Sequence, residues 1–454
     1  MYLTDRSAPA QPDTEQGRRR APGRRVAPVV FVLGTVSLIT DISSEMVTAV
    51  LPLYLVTTLA FTPLAFGTLD GVYNGVSALV QLTGGHLADR VRNHKLMAGL
   101  GYGLSALCKP LLLLAGSIAT LGTVLALDRT GKGLRTAPRD AMISLSTPLE
   151  KQGRAFGVHR AMDTTGAMLG PLAAFLILRA AADGYDAVFG VSACVAMLGV
   201  LVLVLFVPAR GKVARANETS HEASDRASKP SDEAGTAAST PPVRVRDALA
   251  LLRLPRLRAL AGCAALLGLT TVSDAFVYLL LQRRAGIADE WFPLLPLGTA
   301  AVFLLLAVPV GALADRVGRR TVFLTGHMGL LTAYALLLWA PATPALPFLV
   351  LALHGMFYAA TDGVLPAALA DIVPDQLRAT GLAIVGTSQA LARFCCSLSF
   401  GAAWTLWGDS AALAGSAVGL LGCAAVAGIV LRPRDPMTTT DTTDTTDTTP
   451  QGSG

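Results

Sequence analysis

Charge is scarce in this sequence. Asp, Glu, Lys and Arg make up 15% of its 454 residues, against roughly a quarter in a soluble globular chain. The shortage is uneven: residues 1–27, 208–258 and 433–454 hold 30 of the 68 charges, and the other 354 residues hold 38. A body so poor in charge lacks the polar surface of a secreted domain or a soluble enzyme. The net charge of +6 is too small and too concentrated in the polar segments to form a nucleic-acid-binding face. Cysteine is sparse as well. Cys108, Cys194, Cys263, Cys395, Cys396 and Cys423 stand in apolar stretches without CxxC spacing or a nearby His, which argues against a disulfide framework or a zinc site. HExxH, a nucleophile–base set and a GxxxxGK[ST] loop are all missing; Gly131-Lys132-Gly133 lacks the last spacing. The chain is expected to be neither an enzyme nor a nucleotide-driven pump, and to carry no cofactor or metal.

What the sequence has instead is long apolar runs. A helix crosses the hydrocarbon core with about 20 largely apolar residues. On that rule spans fall near 28–58, 64–88, 96–115, 118–146, 154–178 and 187–207, then near 257–281, 291–313, 321–340, 345–371, 379–404 and 410–431. In the fourth, only Ile118 to Leu127 is free of charge; a loop in its place leaves eleven spans. The Arg-rich start looks superficially like a leader, but no small-residue cleavage site follows and apolar character continues to Val56. Of the Lys and Arg outside the proposed spans, only Arg179, Arg283 and Arg284 fall on the side opposite the termini. The positive-inside rule then puts both termini in the cytoplasm, with the protein multi-pass in the inner (plasma) membrane. Residues 208–256, rich in Ser, Thr, Ala, Glu and Lys, form a flexible linker. The tail 433–454 repeats Thr-Thr-Asp and is low-complexity.

The two halves echo each other. Gly85-His86-Leu87-Ala88-Asp89-Arg90-Val91 follows the second span, and Gly311-Ala312-Leu313-Ala314-Asp315-Arg316-Val317 follows the eighth. More weakly, Pro138 and Arg154-Ala155-Phe156-Gly157 recur as Pro366 and Arg378-Ala379-Thr380-Gly381, and Asp41 finds a counterpart in Asp274. Such self-similarity marks a duplicated unit, with a substrate path at the interface between halves.

The repeated Gly-x-Leu-Ala-Asp-Arg segment resembles the loop motif of the major facilitator superfamily, which lies between helices 2 and 3 and is echoed between helices 8 and 9. The first copy departs from the pattern at Arg92, and the second keeps Gly318 there. The resemblance implies an all-α membrane protein with twelve transmembrane helices in two six-helix bundles. The chain divides accordingly into a tail (1–27), a first bundle (28–207), the linker (208–256), a second bundle (257–432) and a tail (433–454). It also implies a conformational latch at Gly85, Asp89 and Arg90 and at Gly311, Asp315 and Arg316, whose glycines allow close helix approach. Arg129, Gly133 and Ala137 match the family's fourth-helix motif, with Lys132 and Arg135 as departures. Gly166-Ala167-Met168-Leu169-Gly170-Pro171 is similar to the start of the fifth-helix motif of proton-driven exporters, although Ala174-Phe175 replaces its final glycine pair.

Ionisable residues inside spans are costly and mark function. Asp128, Lys132, Arg135 and Arg139 follow i, i+4, i+7 and i+11, so they share one helix face. Asp41 and Glu45, at i and i+4, stand about 6 Å apart on another. Two carboxylates so close in a low dielectric repel, which suits a proton carrier. Their expected counter-ions are Arg129, Lys132 or Arg135. Asp41, Glu45 and Asp163 are thus the proton-coupling candidates, with Arg129 as the cation that tunes them. Lys132, Arg135, His159, Arg160, Asp274, Asp362 and Arg393 are the candidates for the substrate cavity. Asp70 serves pairing as readily as a site, whereas His327 and His354 are expected to be packed or interfacial rather than ligands. The expected function is proton-coupled efflux of a small molecule by alternating access, with the lipid bilayer and protons as the other partners and a monomer as the working unit. The alternative is proton-coupled import, or facilitated diffusion, of a charged metabolite.

Overall fold

A computed structural model describes residues 27–90, 93–148, 152–181, 184–207, 253–362, 369, 373 and 378–431. The first tail, the linker as far as residue 252 and the Thr/Asp-rich tail lie outside them. The first six helices are α1 (Pro28–Leu53, prolonged by a π-helical turn over Tyr54–Thr58), α2 (Pro63–Arg90), α3 (His94–Leu114), α4 (Ile118–Leu145), α5 (Gln152–Ala180) and α6 (Gly184–Phe206). The second set is α7a (Pro255–Gly268), α7b (Asp274–Ala285), α8 (Leu294–Val317), α9 (Arg319–Trp339), α10 (Leu346–Thr361), α11 (Arg378–Trp407) and α12 (Asp409–Val430), with a 3-10 turn at Asp289–Trp291. Among the described residues, seven helical stretches are long and apolar enough to cross a membrane by composition alone.

Local chemistry sets the ends. Asn93 caps α3 by accepting from the Leu96 N–H at 3.2 Å. Ser117 and Thr120 form a reciprocal capping box at the start of α4. The charged stretch in the fourth span is therefore helical from Ile118 to Leu145, and the loop alternative fails. Between α8 and α9 the chain turns at Gly318 with φ +103°, a conformation that favours glycine.

The seventh span is not one rod, contrary to the sequence expectation. It breaks at Leu269–Ser273. Thr270 and Thr271 turn their hydroxyls back onto the Leu267 carbonyl at 3.1 and 2.8 Å, and the Val272 N–H donates to the Tyr334 hydroxyl at 2.8 Å. Backbone groups freed by a break must find such partners at membrane depth. Local hydroxyl competition of this kind does not disturb an apolar count. The tenth span, expected over 345–371, is helical from Leu346 to Thr361, and residues 363–368, 370 and 371 lie outside the described residues.

Packing repeats between the halves as the motifs do. Within the first, α1 packs on α5 and α6, α2 on α4, α3 on α4 and α6, and α5 on α6. In the second, α7a packs on α11 and α12, α8 on α10, α9 on α10 and α12, and α11 on α12. The bundles meet chiefly along α2 and α11, and also along α5 and α8. Gly71 and Gly75 make a notch on α2 for Phe394, where an added Cβ would lie 3.0 and 3.3 Å from the ring. The Leu64 N–H donates to Thr405 Oγ1 at 3.0 Å. Phe175 stacks near Trp291 (5.1 Å between centroids), and Arg179 pairs with Glu290 at 3.9 Å. These contacts lie in the half of the molecule away from the end where α1 starts, so the bundles are joined at that far end.

Candidate transport site

The first bundle concentrates its charges where α1, α3, α4 and α5 converge. On α5, Gly166 and Gly170 allow contact with α1: a Cβ at Gly170 would stand 2.8 Å from the Ile42 carbonyl oxygen and 2.7 Å from Glu45 Cβ. That approach brings Asp163 of α5 beside Asp41 of α1, within reach of a hydrogen bond between the two carboxyl groups. Arg135 Nη2 donates to Asp41 Oδ1 at 3.1 Å, with both side chains buried. Arg139 Nη1 stands 3.6 Å from Asp163 Oδ1 and donates to Ser37 Oγ at 3.2 Å. Its Nε bonds Asp140 at 3.0 Å. His159 Nε2 lies 3.1 Å from Ser37 Oγ, which also meets the Tyr102 hydroxyl at 3.3 Å. Tyr102 in turn presents its ring to the Arg135 guanidinium at 4.5 Å. Asp163 Oδ1 is buried without a hydrogen-bond donor.

Two sequence expectations change here. The close carboxyl pair is not Asp41 with Glu45 along α1. Glu45 faces away to Lys132 Nζ at 3.6 Å, partly exposed, and Asp41 instead meets Asp163 across two helices. Nor is Arg129 in direct ion-pair contact with Asp41 or Glu45 among the described residues. Its Nη2 bonds Asp128 Oδ2 at 2.6 Å, and its guanidinium lies 4.1 Å over the Tyr73 ring. Asp128 also accepts from Lys109 Nζ at 3.0 Å and Ser105 Oγ at 2.6 Å. The reason is the contact of α3 with α4. Gly101 and Gly131 face each other so closely that a Cβ on either would fall 2.7 Å from the other's carbonyl oxygen. Asp128 thereby comes under Lys109, and Arg129 is held one residue off the stripe that faces α1.

Other candidates are dispersed. Arg160 is 82% exposed, and its one ion pair among the described residues is with Asp163, at 4.0 Å. Asp274, at the start of α7b, accepts from His354 Nε2 at 2.9 Å and from the Tyr358 hydroxyl at 2.6 Å. Asp70 accepts from Ser397 across the seam between bundles. Asp362 and Arg393 line a cavity of about 160 Å³ inside the second bundle, together with His327 and Gln389. Of the expected latch, the side chains of Gly85, Asp89 and Arg90 lie outside the described residues. Gly311 has open space where a Cβ would go, so it makes no close helix approach in this state. Asp315 is 70% exposed and pairs locally, with Arg319 at 3.7 Å. Sequence reasoning missed the hydroxyl partners Ser37, Tyr73, Tyr102, Ser105 and Tyr358. An isolated Ser or Tyr in an apolar run carries no signal until a charge is seen beside it.

Two parallel six-helix units, the first with buried ion pairs, joined along α2 and α11 and along α5 and α8, make a multi-pass membrane transporter. The sequence matches the Major Facilitator Superfamily over residues 33–394 and again over 294–450, and the chain belongs to that family. Among its relatives, an uncharacterised MFS-type transporter of Methanocaldococcus jannaschii, MJ1317, is 28% identical over 409 residues, covering 88% of this chain and 94% of that one. The uncharacterised protein Rv2265 of Mycobacterium tuberculosis is 32% identical over 162 residues, 36% of this chain and 39% of its own length. Among solved structures, the nucleoside transporter NupG superposes with a TM-score of 0.72 at 12% identity, over 90% of this chain and 100% of that one. A bacterial homologue of the human lysosomal transporter Spinster, in an inward-facing and unoccupied conformation, gives 0.65 at 16% identity, over 89% and 94%. At such identities these structures speak for the fold alone.

Proposed function

We propose that the protein exports a small polar molecule from the cytoplasm in exchange for protons, by alternating access, as a monomer in the inner (plasma) membrane with both termini cytoplasmic. The observation that carries the reading is the Asp41–Asp163 carboxyl pair, flanked by Arg135 and Arg139, with one buried Asp163 oxygen lacking a donor. A proton held between the two carboxyls leaves the pair with a single negative charge. Its loss leaves a second anion that draws Arg139 closer and pulls α4 toward α5. Protonation is thereby tied to helix position. The contacts along α2 and α11 at the far end support an inward-open state. The local pairing of Asp315 then fits a latch that engages when the bundles rock the other way. The Gly166–Gly170 packing of α5 on α1, on the segment similar to the exporters' fifth-helix motif, supports export as the direction.

The test is inverted vesicles with an imposed pH gradient, loaded with a pH-sensitive dye and challenged with pooled metabolites and drugs. The wild type is expected to move at least one component with a matching proton flux. Asp41→Asn and Asp163→Asn are expected to lose the proton flux and keep gradient-independent equilibration. Full gradient-driven movement in both variants sinks the assignment.

A further inference from the structure

We infer that the cavity inside the second bundle binds a small zwitterion of the α-amino acid type, its carboxylate on Arg393 and its ammonium on Asp362. The inference deepens the export reading and rests on it, since it names the class of molecule moved.

The arginines of the α4 stripe and its neighbour each have a carboxylate: Arg129 has Asp128, Arg135 has Asp41, and the half-buried Arg139 has Asp140 and Asp163. Arg393 differs. It sits on α11 at the wall of the cavity, and among the described residues it has no carboxylate within 4.0 Å and donates no hydrogen bond. Asp274 lies within electrostatic reach but is already held by His354 and Tyr358. Arg393 is half-buried, and inside a membrane span a charge without an ion pair marks a pathway.

Asp362 ends α10 on the same cavity and has no ion-pair partner within 4.0 Å among the described residues. One cavity thus presents a cation and an exposed anion that lie within electrostatic reach of each other but form no direct ion pair. A monovalent ion would satisfy one and leave the other. A molecule bearing both charges satisfies both. Arg393 offers a planar fork that suits a carboxylate.

Two further groups line the same cavity. His327 Nδ1 is engaged with the Phe323 carbonyl at 2.8 Å. That bond requires the proton on Nδ1 and leaves Nε2 as an acceptor for an ammonium hydrogen. Gln389, one helical turn before Arg393, adds an amide. Apolar walls from Leu267 and Phe357 leave room for a short aliphatic side chain, and a cavity of about 160 Å³ suits a single amino acid better than a peptide or a nucleoside.

The test is equilibrium binding to the purified full-length protein. The twenty proteinogenic amino acids are screened by thermal shift and the best is followed by calorimetry. Its des-amino acid and its decarboxylated amine then probe each charge separately with the natural protein, so the test does not depend on any variant folding. At least one amino acid is expected to bind, with each single-charge analogue weaker by tenfold or more. Arg393→Gln and Asp362→Asn are each expected to weaken the zwitterion by tenfold or more, and Arg393→Lys to recover part of the loss. Binding needs no proton gradient, so failure of proton coupling in vesicles leaves this result standing, and the reverse also holds. The proposal is overturned if no amino acid binds, if either single-charge analogue binds as tightly as the zwitterion, or if folded Arg393→Gln keeps full affinity.

Discussion

Asp128 holds together the tightest charge cluster among the described residues, and its removal has a calculable consequence. The carboxylate lies between Lys109 at 3.0 Å and Arg129 at 2.6 Å, with Ser105 at 2.6 Å as a third donor. All three charged side chains are buried. The cluster therefore carries two cations for one anion. Asp128→Asn keeps the shape, removes that one negative charge and leaves two buried cations facing each other. Breaking a buried pair in this way costs about 3–5 kcal/mol. Lys109→Met takes away a cation instead, and Asp128 keeps Arg129 and Ser105, so it is expected to cost less than half as much. With about 2–4 °C per kcal/mol for a unit of this size, Asp128→Asn lowers the unfolding midpoint by roughly 6–20 °C. The assay is thermal unfolding of the purified protein in one detergent, followed by helical signal or buried-cysteine reactivity, for the natural protein and both variants. A Lys109→Met shift equal to or larger than that of Asp128→Asn would refute the charge count. The surplus cation would then be serving the fold and not merely tolerated by it.

Three further outcomes are expected. Gly170→Ala places a methyl 2.7 Å from Glu45 Cβ and 2.8 Å from the Ile42 carbonyl; α5 must back away from α1, at about 1–3 kcal/mol, and gradient-driven transport in vesicles falls as Asp163 leaves Asp41. Glu45→Gln removes a partly exposed pair at 3.6 Å and changes the unfolding midpoint by less than about 1 kcal/mol equivalent, measured in the same thermal assay. Leu64→Cys with Gly401→Cys, in a background without the six natural cysteines, joins α2 to α11 at the far end, where a Cβ at Gly401 already lies 3.2 Å from Leu64 Cα. Oxidation is expected to stop transport and reduction to restore it, read as vesicle flux before and after dithiothreitol.

Much of the architecture is legible in residue order. Apolar runs and the two Gly-x-Leu-Ala-Asp-Arg copies give the helices and their duplication, because crossing a bilayer imposes length and polarity on each segment separately. The break in α7 is not legible, since it depends on Tyr334 of another helix taking the Val272 N–H. The candidate site divides in the same way. Intramembrane charges on the first, fourth and fifth spans stand out in the sequence because each is costly alone. Which charge answers which does not stand out.

Arg129, Lys132 and Arg135 are comparable counter-ions for Asp41 when only their spacing is known, yet Arg135 alone of the three bonds it. The close approach of Gly101 to Gly131 decides the rotation of α4. Asp163, with no second carboxylate on its own helix, becomes the partner of Asp41 only because Gly166 and Gly170 let α5 lie against α1. Arg393 and Asp362 stand in sequence only as two of several cavity candidates, and the structure sets both on one cavity without a direct ion pair. The sequence by itself determined the class of protein, since the solvent acts on each helix independently. The tertiary structure decided the pairing of its charges, because ion pairing depends on distances of a few ångströms between helices, and these are fixed by which small residues let two backbones touch.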